Sequence, residues 1–331
     1  MGHVLVSQAG GNTLWPKGII PFEFEDDIDG FKPEFDVSAP VGDVTPGEGN
    51  RKDDIRKVQQ LLNKFTPAAG GPSPKLNPAG IMTTQTLAAI RNFQQVHFGW
   101  QDGRVDPGHA TIIELTIGEP DLTSDNIKAH MINAVHQWNR RVGKAVHWVR
   151  HEPRKAKQPN FVRFRELLPG GPASFSPVGM LGQGAQLVAI NPTKARGVLT
   201  EANDGGTLEG MIMHEMGHTA GLHHEHQRSD RDNFVQIVTE NVEPDRLKKD
   251  LSPASDLKDP PGMPSGVYDF QSIMHYHSKQ ASKTPPGGLT TIRKLSGPGG
   301  PPLPDPQPIL GSRKQLSDGD VATLMKLYGK R

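Results

Sequence analysis

Five of the chain's 14 histidines lie within the thirteen residues HEMGHTAGLHHEH, at positions 214–226. His214 and His218 are four residues apart, so on a helix their side chains differ by about 40° in rotation and about 6 Å in rise. Both imidazoles can therefore contact one ion. Glu215 follows the first of them and can reach a water molecule on that ion. This H-E-x-x-H spacing is typical of two zinc ligands and a general base.

A third ligand is expected a few residues further along the chain. Gly221 comes three residues after His218, and a glycine there can take a positive φ and end the helix. The chain can then turn back beneath the ion, which makes His224 the natural third ligand in the pattern H-E-x-x-H-x-x-G-x-x-H. We predict one catalytic Zn²⁺ on these three histidines. His223 and His226 are expected to point elsewhere, at the surface or behind the ligands.

A methionine in the stretch YDFQSIMHYHSK, residues 268–279, lies about fifty residues later. A methionine is a soft side chain that fills an irregular space, and here Met274 resembles the Met-turn of the metzincin zinc peptidases. The stretches HEMGHTAGLHHEHQRSDRDNFVQI and YDFQSIMHY resemble the two signatures of the astacin family of metallopeptidases. Three other segments resemble parts of that family in the same order: its opening strand in LWPKGIIPFEF, its edge-strand region in SPVGMLGQGAQLVAIN and its C-terminal helix in LSDGDVATLMKLY.

This resemblance implies roles for individual residues. Glu215 would polarise the zinc-bound water and pass its proton to the leaving amine. Tyr276 matches a tyrosine that ligates the metal at rest and swings away to donate a hydrogen bond to the oxyanion; its alternative is a structural phenol. Glu225 matches a glutamate that fixes the mature N-terminus. The backbone of AQLVAIN, residues 185–191, would pair antiparallel with the substrate.

Residues 51–117 have a different character, with apolar side chains at helical spacing. The residues that show it are Ile55, Val58, Leu61, Leu62 and Phe65 in a first helix and Leu87, Ile90 and Phe93 in a second. A third short helix is predicted at HATIIELT. The layout resembles the small three-helix domain of the peptidoglycan-binding type. Phe98 and Trp100 could stack on a sugar or belong to the core, which is commoner for aromatics in so small a domain.

The predicted fold is α+β: a two-lobed, metzincin-type zinc peptidase with a twisted mixed sheet and an active-site helix, plus a small all-α inserted domain. If 13–26 is the first strand, the catalytic domain is discontinuous and comprises 1–30 and 118–331. Residues 31–50 would be a linker, and 51–117 the inserted domain. The rival layout is an N-terminal domain followed by a complete peptidase from residue 120, which leaves LWPKGIIPFEF without a role.

The composition of the chain limits which binding partners and which cellular location can be expected. A net charge of +1 and a pI of about 8.0 give no basic field for nucleic acid or anionic lipid. No apolar run is long enough to span a membrane, and the start MGHVLVSQAGG lacks the features of a signal peptide. Cysteine is absent, so disulfides, which astacins typically carry, are excluded. The resemblance implies a secreted protein, with a cytoplasmic one as the alternative. It predicts trimming near Val4–Ser7 to a mature N-terminus, and the alternative is that another group satisfies Glu225.

Two functions follow. The first is a zinc endopeptidase that hydrolyses proteins or peptides, with 51–117 serving as a targeting module, a lid or bulk. The second is a cell-wall protein that binds peptidoglycan through 51–117 and whose metal site cleaves wall peptides or is latent. The inserted domain could also simply pack against the peptidase.

Overall fold

The computed structural model describes residues 13–25, 37–119, 126–151, 159–202, 205–253, 266–284 and 288–329. They divide into two compact units. The large unit comprises Met1–Glu25, Gln137–Trp148 and Pro159–Arg331, and the small unit comprises Asp26–His136 and Val149–Gln158. The predicted trimming site near Val4–Ser7 lies outside the described residues.

Helices and strands are mixed along the whole described chain. The helices are α1 (Lys52–Leu62), α2 (Thr84–Phe98), α3 (Ala110–Ile117), α4 (Ile127–Val142), α5 (Pro192–Ala202), α6 (Leu208–Thr219), α7 (Pro244–Asp250) and α8 (Asp318–Tyr328). The strands are β1 (Ile19–Phe24), β2 (Val41–Gly42), β3 (Arg104–Val105), β4 (His147–Arg150), β5 (Phe161–Glu166), β6 (Ala185–Ile190), β7 (Val235–Ile237) and β8 (Ile292–Lys294). The α+β prediction is confirmed.

Four of the described strands form the main sheet, in the order β4-β1-β5-β6. The pairs β1–β5 and β5–β6 are parallel, and Phe22 lies opposite Val162 in the first of them. Aromatic side chains from three strands of this sheet pack against one another. Phe22 contacts Phe164 edge-on at 5.7 Å and Trp148 at 6.2 Å between ring centroids. β1 therefore occupies an inner position of this sheet, although it lies far from its neighbours in the sequence.

The small unit is built around α1, α2 and α3. Its core contains Ile55, Val58, Leu62, Phe65 and Phe93, all buried, as the helical spacing predicts. The unit is not purely helical, because β2 and β3 pair antiparallel, with Val41 opposite Val105.

The segment that composition assigns to a linker differs from that prediction. Residues 37–50 are described, and Val37, Ala39 and Val41 are buried, with Val37 and Val41 in the core of the small unit. The carboxylate of Asp54 accepts hydrogen bonds from the backbone N–H groups of Ser38 (2.8 Å) and Ala39 (3.1 Å). Glycine and proline content indicated an irregular chain here, but irregular chain can still pack into a core.

No described helix combines the length and the apolar character that crossing a membrane requires.

Candidate metal centre

Helix α6 carries the first two predicted ligands and is buried along its whole length. It begins at a capped turn, where the side chain of Thr207 accepts a hydrogen bond from the backbone N–H of Gly210 (3.1 Å). It ends in a Schellman turn. The N–H of Leu222 donates to the carbonyl of Gly217 (2.9 Å) and the N–H of Gly221 to that of His218 (2.8 Å). Gly221 has a φ of 97°, so the sequence places glycine where the turn needs left-handed backbone.

This turn brings His224 back to the two histidines of the helix. The Nε2 atom of His224 lies 3.2 Å from Nε2 of His218 and 3.3 Å from Nε2 of His214. The three ring nitrogens therefore converge on one point. The structure brings together all three residues that the spacing selected as ligands.

The other nitrogen of each ring is held by an acceptor. Nδ1 of His214 donates to the carbonyl of Ile273 (2.7 Å), and Nδ1 of His218 donates to the carbonyl of Leu222 (2.9 Å). Nδ1 of His224 lies 3.0 Å from Oε1 of Gln227. Since these acceptors fix the proton on Nδ1, the Nε2 atoms carry lone pairs. The sequence analysis did not predict that Gln227 orients His224. The one available signal was its position three residues after this ligand.

Three lone pairs that face one another cannot hydrogen-bond, but they suit a cation. Burial lowers the pKa of His214 and His224 well below the ordinary value and that of His218 to about 4, and the Arg313 guanidinium acts in the same direction on His214 and His218. The imidazoles are therefore neutral, which metal ligation requires. Three nitrogen donors around one point fit Zn²⁺ with an open fourth position.

Glu215 lies in the wall of a cleft of about 470 Å³ that the three histidines also line. Burial raises the pKa of its carboxyl to about 8, and the positive charge of Arg313 opposes this rise. Arg313 lies far from Glu215 in the sequence and belongs to no recognisable motif, so its role could not be predicted. Its Nη1 group donates to the carbonyls of Ile273 and, at 3.0 Å, of His275.

The predicted Met-turn lies directly against α6. Met274 is fully buried, and a Cβ atom added to Gly217 would lie 2.7 Å from its sulfur. Asp320 of α8 supports the turn: its carboxylate accepts from the Ser272 hydroxyl (2.6 Å) and from the N–H of Ile273 (2.9 Å). Ser317 and Asp320 form a capping box at the start of α8, and the contact of Asp320 with the Met-turn has no signal in the sequence. The C-terminal helix thus positions the carbonyl that orients His214.

Tyr276 lies beside the third ligand, with 4.7 Å between its ring centroid and that of His224. It also stacks on His226 at 4.0 Å. Burial, followed by the negative charge of Asp250, raises the pKa of the phenol to about 12, so it stays protonated at neutral pH. His226 is fully buried, and its Nε2 lies 2.9 Å from the carbonyl of Asp250, which places it among the packed groups behind the ligands.

Glu225 is also fully buried. Its Oε1 accepts from Arg228 (2.8 Å) and from the backbone N–H of Asp269 (2.9 Å). Burial raises the pKa of this carboxyl to about 7, and Arg228 acts against the rise. Residues 1–12 lie outside the described chain, so the predicted contact of Glu225 with a mature N-terminus stays a prediction.

One sequence prediction about the cleft is contradicted at Ala189. The substrate-pairing edge was assigned to 185–191, yet Ala189 of β6 exchanges both backbone hydrogen bonds with Phe175 (2.9 and 3.0 Å). Residues 173–176 line the cleft instead. Phe175 takes the outward backbone groups of Ala189, and this could not be predicted from the sequence because the pairing depends on a loop of irregular backbone.

Comparison with known proteins agrees with this geometry. Residues 119–329 match the peptidase family described as Astacin, and residues 51–112 match the putative peptidoglycan binding domain. The chain is 32% identical over 189 residues to Tolloid-like protein 1 of Mus musculus, which covers 55% of this chain and 16% of that protein. It is 28% identical over 210 residues to zinc metalloproteinase nas-7 of Caenorhabditis elegans, covering 62% and 44%.

Among solved structures, high choriolytic enzyme 1, a hatching enzyme zinc-protease of Oryzias latipes, is 26% identical with a TM-score of 0.44, covering 63% of this chain and 85% of that one. The chain spans less than half the length of the two curated relatives named above.

The buried helix, its three converging histidines and the methionine turn define a zinc centre of the metzincin class. Within that class the match covers more than half of the chain. The chain belongs to the astacin family.

Proposed function

We propose that the chain is a zinc-dependent endopeptidase that hydrolyses peptide bonds of proteins or peptides. The observation that carries this proposal is the convergence of three neutral, Nδ1-anchored histidines in a cleft that Glu215 also lines. A zinc ion bound there would supply a Lewis acid that acidifies water and polarises the scissile carbonyl. We propose an extracellular place of action, as the family resemblance implies.

The chain's own groups have separate tasks in this reaction. The Glu215 carboxylate would take a proton from the attacking water and deliver it to the nitrogen of the leaving amine. The phenol of Tyr276, which stays protonated, would donate a hydrogen bond to the oxygen that becomes negative. The backbone of 173–176, on the outer side of β6, would align an extended substrate.

We further propose that the catalytic domain is discontinuous, with the predicted bounds 1–30 and 118–331, around an inserted domain predicted at 51–117. The compact small unit is larger than that prediction, because it runs from Asp26 to His136 and includes the buried Val37 and Val41. Two contacts of the opening segment support this layout. β1 lies between β4 and β5 in the sheet, and the indole N–H of Trp15 donates to the carbonyl of Thr219 at the end of α6 (2.9 Å). In the rival layout this segment would have no structural task.

The test of the proposed activity is cleavage of casein by the zinc-loaded chain. We expect cleavage that a zinc chelator stops and that added zinc restores, because the ion held by the three histidines would activate the attacking water. Cleavage that continues at full rate after zinc has been removed would contradict the proposal.

A second candidate function is binding of peptidoglycan through 51–117, which the match over 51–112 favours. Trp100 is 43% exposed and stacks on Phe98 at 5.1 Å, with 16° between the rings. Phe98 packs against the core of the small unit, so it supports an indole whose outer face is available to a sugar ring.

Sedimentation with purified cell-wall sacculi checks this candidate. We expect the full chain to be retained, and Trp100→Ala to weaken its binding roughly two- to tenfold, since loss of one stacking ring costs on the order of 0.5–1.5 kcal/mol. Ile81→Ala is the matched control, because Ile81 is an exposed apolar residue of the same unit. Equal retention of all three proteins would argue against a sugar-stacking role for Trp100.

A further inference from the structure

A second cluster of ligand-type side chains lies in the small unit, outside the zinc centre described above. It comprises His97 of α2, Glu114 of α3 and His136 of α4, whose nearest ligand atoms all lie within 4.8 Å of one another. The three residues are 7%, 1% and 2% exposed. Neither the proposed peptidase reaction nor sugar binding uses them.

Backbone carbonyls fix the proton positions of both imidazoles. Nε2 of His97 lies 3.0 Å from the carbonyl of Ala69, and Nε2 of His136 lies 2.6 Å from the carbonyl of Gly118. A carbonyl can only accept, so each Nε2 carries a hydrogen. This is how metal-binding histidines are usually held, with one ring N–H donated to a carbonyl and the other nitrogen turned to the ion.

The two remaining nitrogens face the same atom. Nδ1 of His97 lies 3.2 Å from Oε1 of Glu114, and Nδ1 of His136 is in closer contact with that same oxygen. Without a cation, both Nδ1 atoms would need a proton to make these contacts with an ionised Glu114. Two imidazolium rings would then be buried with 5.9 Å between their centroids, which like-charge repulsion and desolvation both oppose.

The surroundings of the cluster increase that cost. The ring of His97 stacks on Phe93 at 4.1 Å and meets Phe65 edge-on at 5.7 Å. The carboxylate of Glu114 is buried together with the two rings. A divalent cation between the Nδ1 lone pairs and this carboxylate leaves both rings neutral and satisfies all three groups.

We propose that His97, Glu114 and His136 bind a second, structural Zn²⁺ that is separate from the catalytic ion. Two imidazoles and a carboxylate are donors that zinc prefers over calcium or magnesium. Bonds of about 2.0–2.2 Å in a tetrahedral site separate ligand atoms by roughly 3.3–3.5 Å, close to the 3.2 Å between His97 and Glu114. The contact between Nδ1 of His136 and Oε1 of Glu114 (2.5 Å) must open by about 0.8–1 Å, and one further donor is needed to complete the tetrahedron.

This ion would join α2, α3 and α4, three helices that the sequence separates. Because the chain has no cysteine, it has no disulfide to perform that task. A structural metal stabilises the folded state because the three ligands come together only when the helices pack. The inference does not depend on peptidase activity, since metal content is measured whether or not a substrate is cleaved.

The test is zinc content per chain after gel filtration, measured by mass spectrometry of the metal. We expect two zinc ions in the wild-type protein and one in Glu114→Gln, which keeps the size of the side chain but removes its charge. His109→Asn is the matched control, because His109 is an exposed histidine at the start of α3, and we expect two ions there. The double variant His214→Ala/His218→Ala should hold one.

One zinc ion in the wild-type protein, with none in the double variant, would overturn the proposal and leave a proton-held network. Thermal unfolding gives a second measurement that needs no change to the cluster. In the double variant, removal of zinc by a chelator is expected to lower the Tm. If the double variant held no zinc before chelation and its Tm did not change on chelation, the structural ion would be contradicted.

Discussion

Glu215→Ala is expected to lose peptidase activity by about 10²–10⁴-fold while its zinc content stays equal to that of the wild type. The physical reason is that Glu215 moves protons but does not hold the ion. The ion's ligands are three histidines whose rings are anchored by Ile273, Leu222 and Gln227, and none of these contacts involves the carboxylate. Casein cleavage and zinc content, measured on the same preparations, check the prediction.

The control for this experiment is Glu240→Gln, which removes an exposed carboxylate from the same unit and is expected to cleave at the wild-type rate. If Glu215→Ala lost zinc together with activity, the residue would have a structural role. If it cleaved normally, another group would have to serve as the base.

Gly210→Ala is expected to destabilise the chain by about 3 kcal/mol, which corresponds to a fall in Tm of roughly 6–12 °C. A Cβ atom at this position would lie 1.8 Å from the carbonyl oxygen of Arg313. The obstacle is backbone, which cannot rotate away as a side chain can. That same oxygen accepts the N–H of Thr207 (2.7 Å), so the start of α6 and residue 313 must separate together.

The displacement should reach the zinc centre as well, because Arg313 donates to the carbonyl of Ile273 that orients His214. Gly197→Ala is the matched control. Gly197 lies inside α5 with nothing within 4 Å of the added atom, so alanine should be neutral or stabilise by up to about 1 kcal/mol. Thermal unfolding of both variants tests the prediction. Equal Tm values would show that the backbone near Gly210 accommodates the added atom without loss of stability.

The three ligands could be predicted because their arrangement is local. Two lie one helical turn apart, and the third is returned by a Schellman turn whose glycine is visible in the sequence. The groups that position them are distant: Ile273 lies 59 residues from His214, and Asp320 lies 47 residues beyond Ile273. No local pattern in a single sequence links residues that lie so far apart in the chain.

Helices and strands, too, could be predicted only where a local sequence pattern determines them. Helices with a regular apolar spacing, such as α1 and α2, lie where the periodicity places them, because one face packs on a core. Helices α5 and α7 were not predicted, because Gly197 interrupts the apolar spacing of α5 and α7 is only seven residues long. The pairing of Ala189 of β6 with Phe175 was not predicted, because Phe175 lies in a loop and loop conformation depends on tertiary contacts.

The inner position of β1 has a consequence for biosynthesis. Its partner strand β5 follows about 140 residues later, as the ion pair between Glu23 and Arg163 shows. At about 5–20 residues per second, β1 leaves the ribosome roughly 7–28 s before that partner. During this interval Ile20, Phe22 and Phe24 have no sheet to enter, whereas the helices of the small unit already have their partners. We expect the small unit to fold first and the nascent β1 to be the segment of the large unit that molecular chaperones protect.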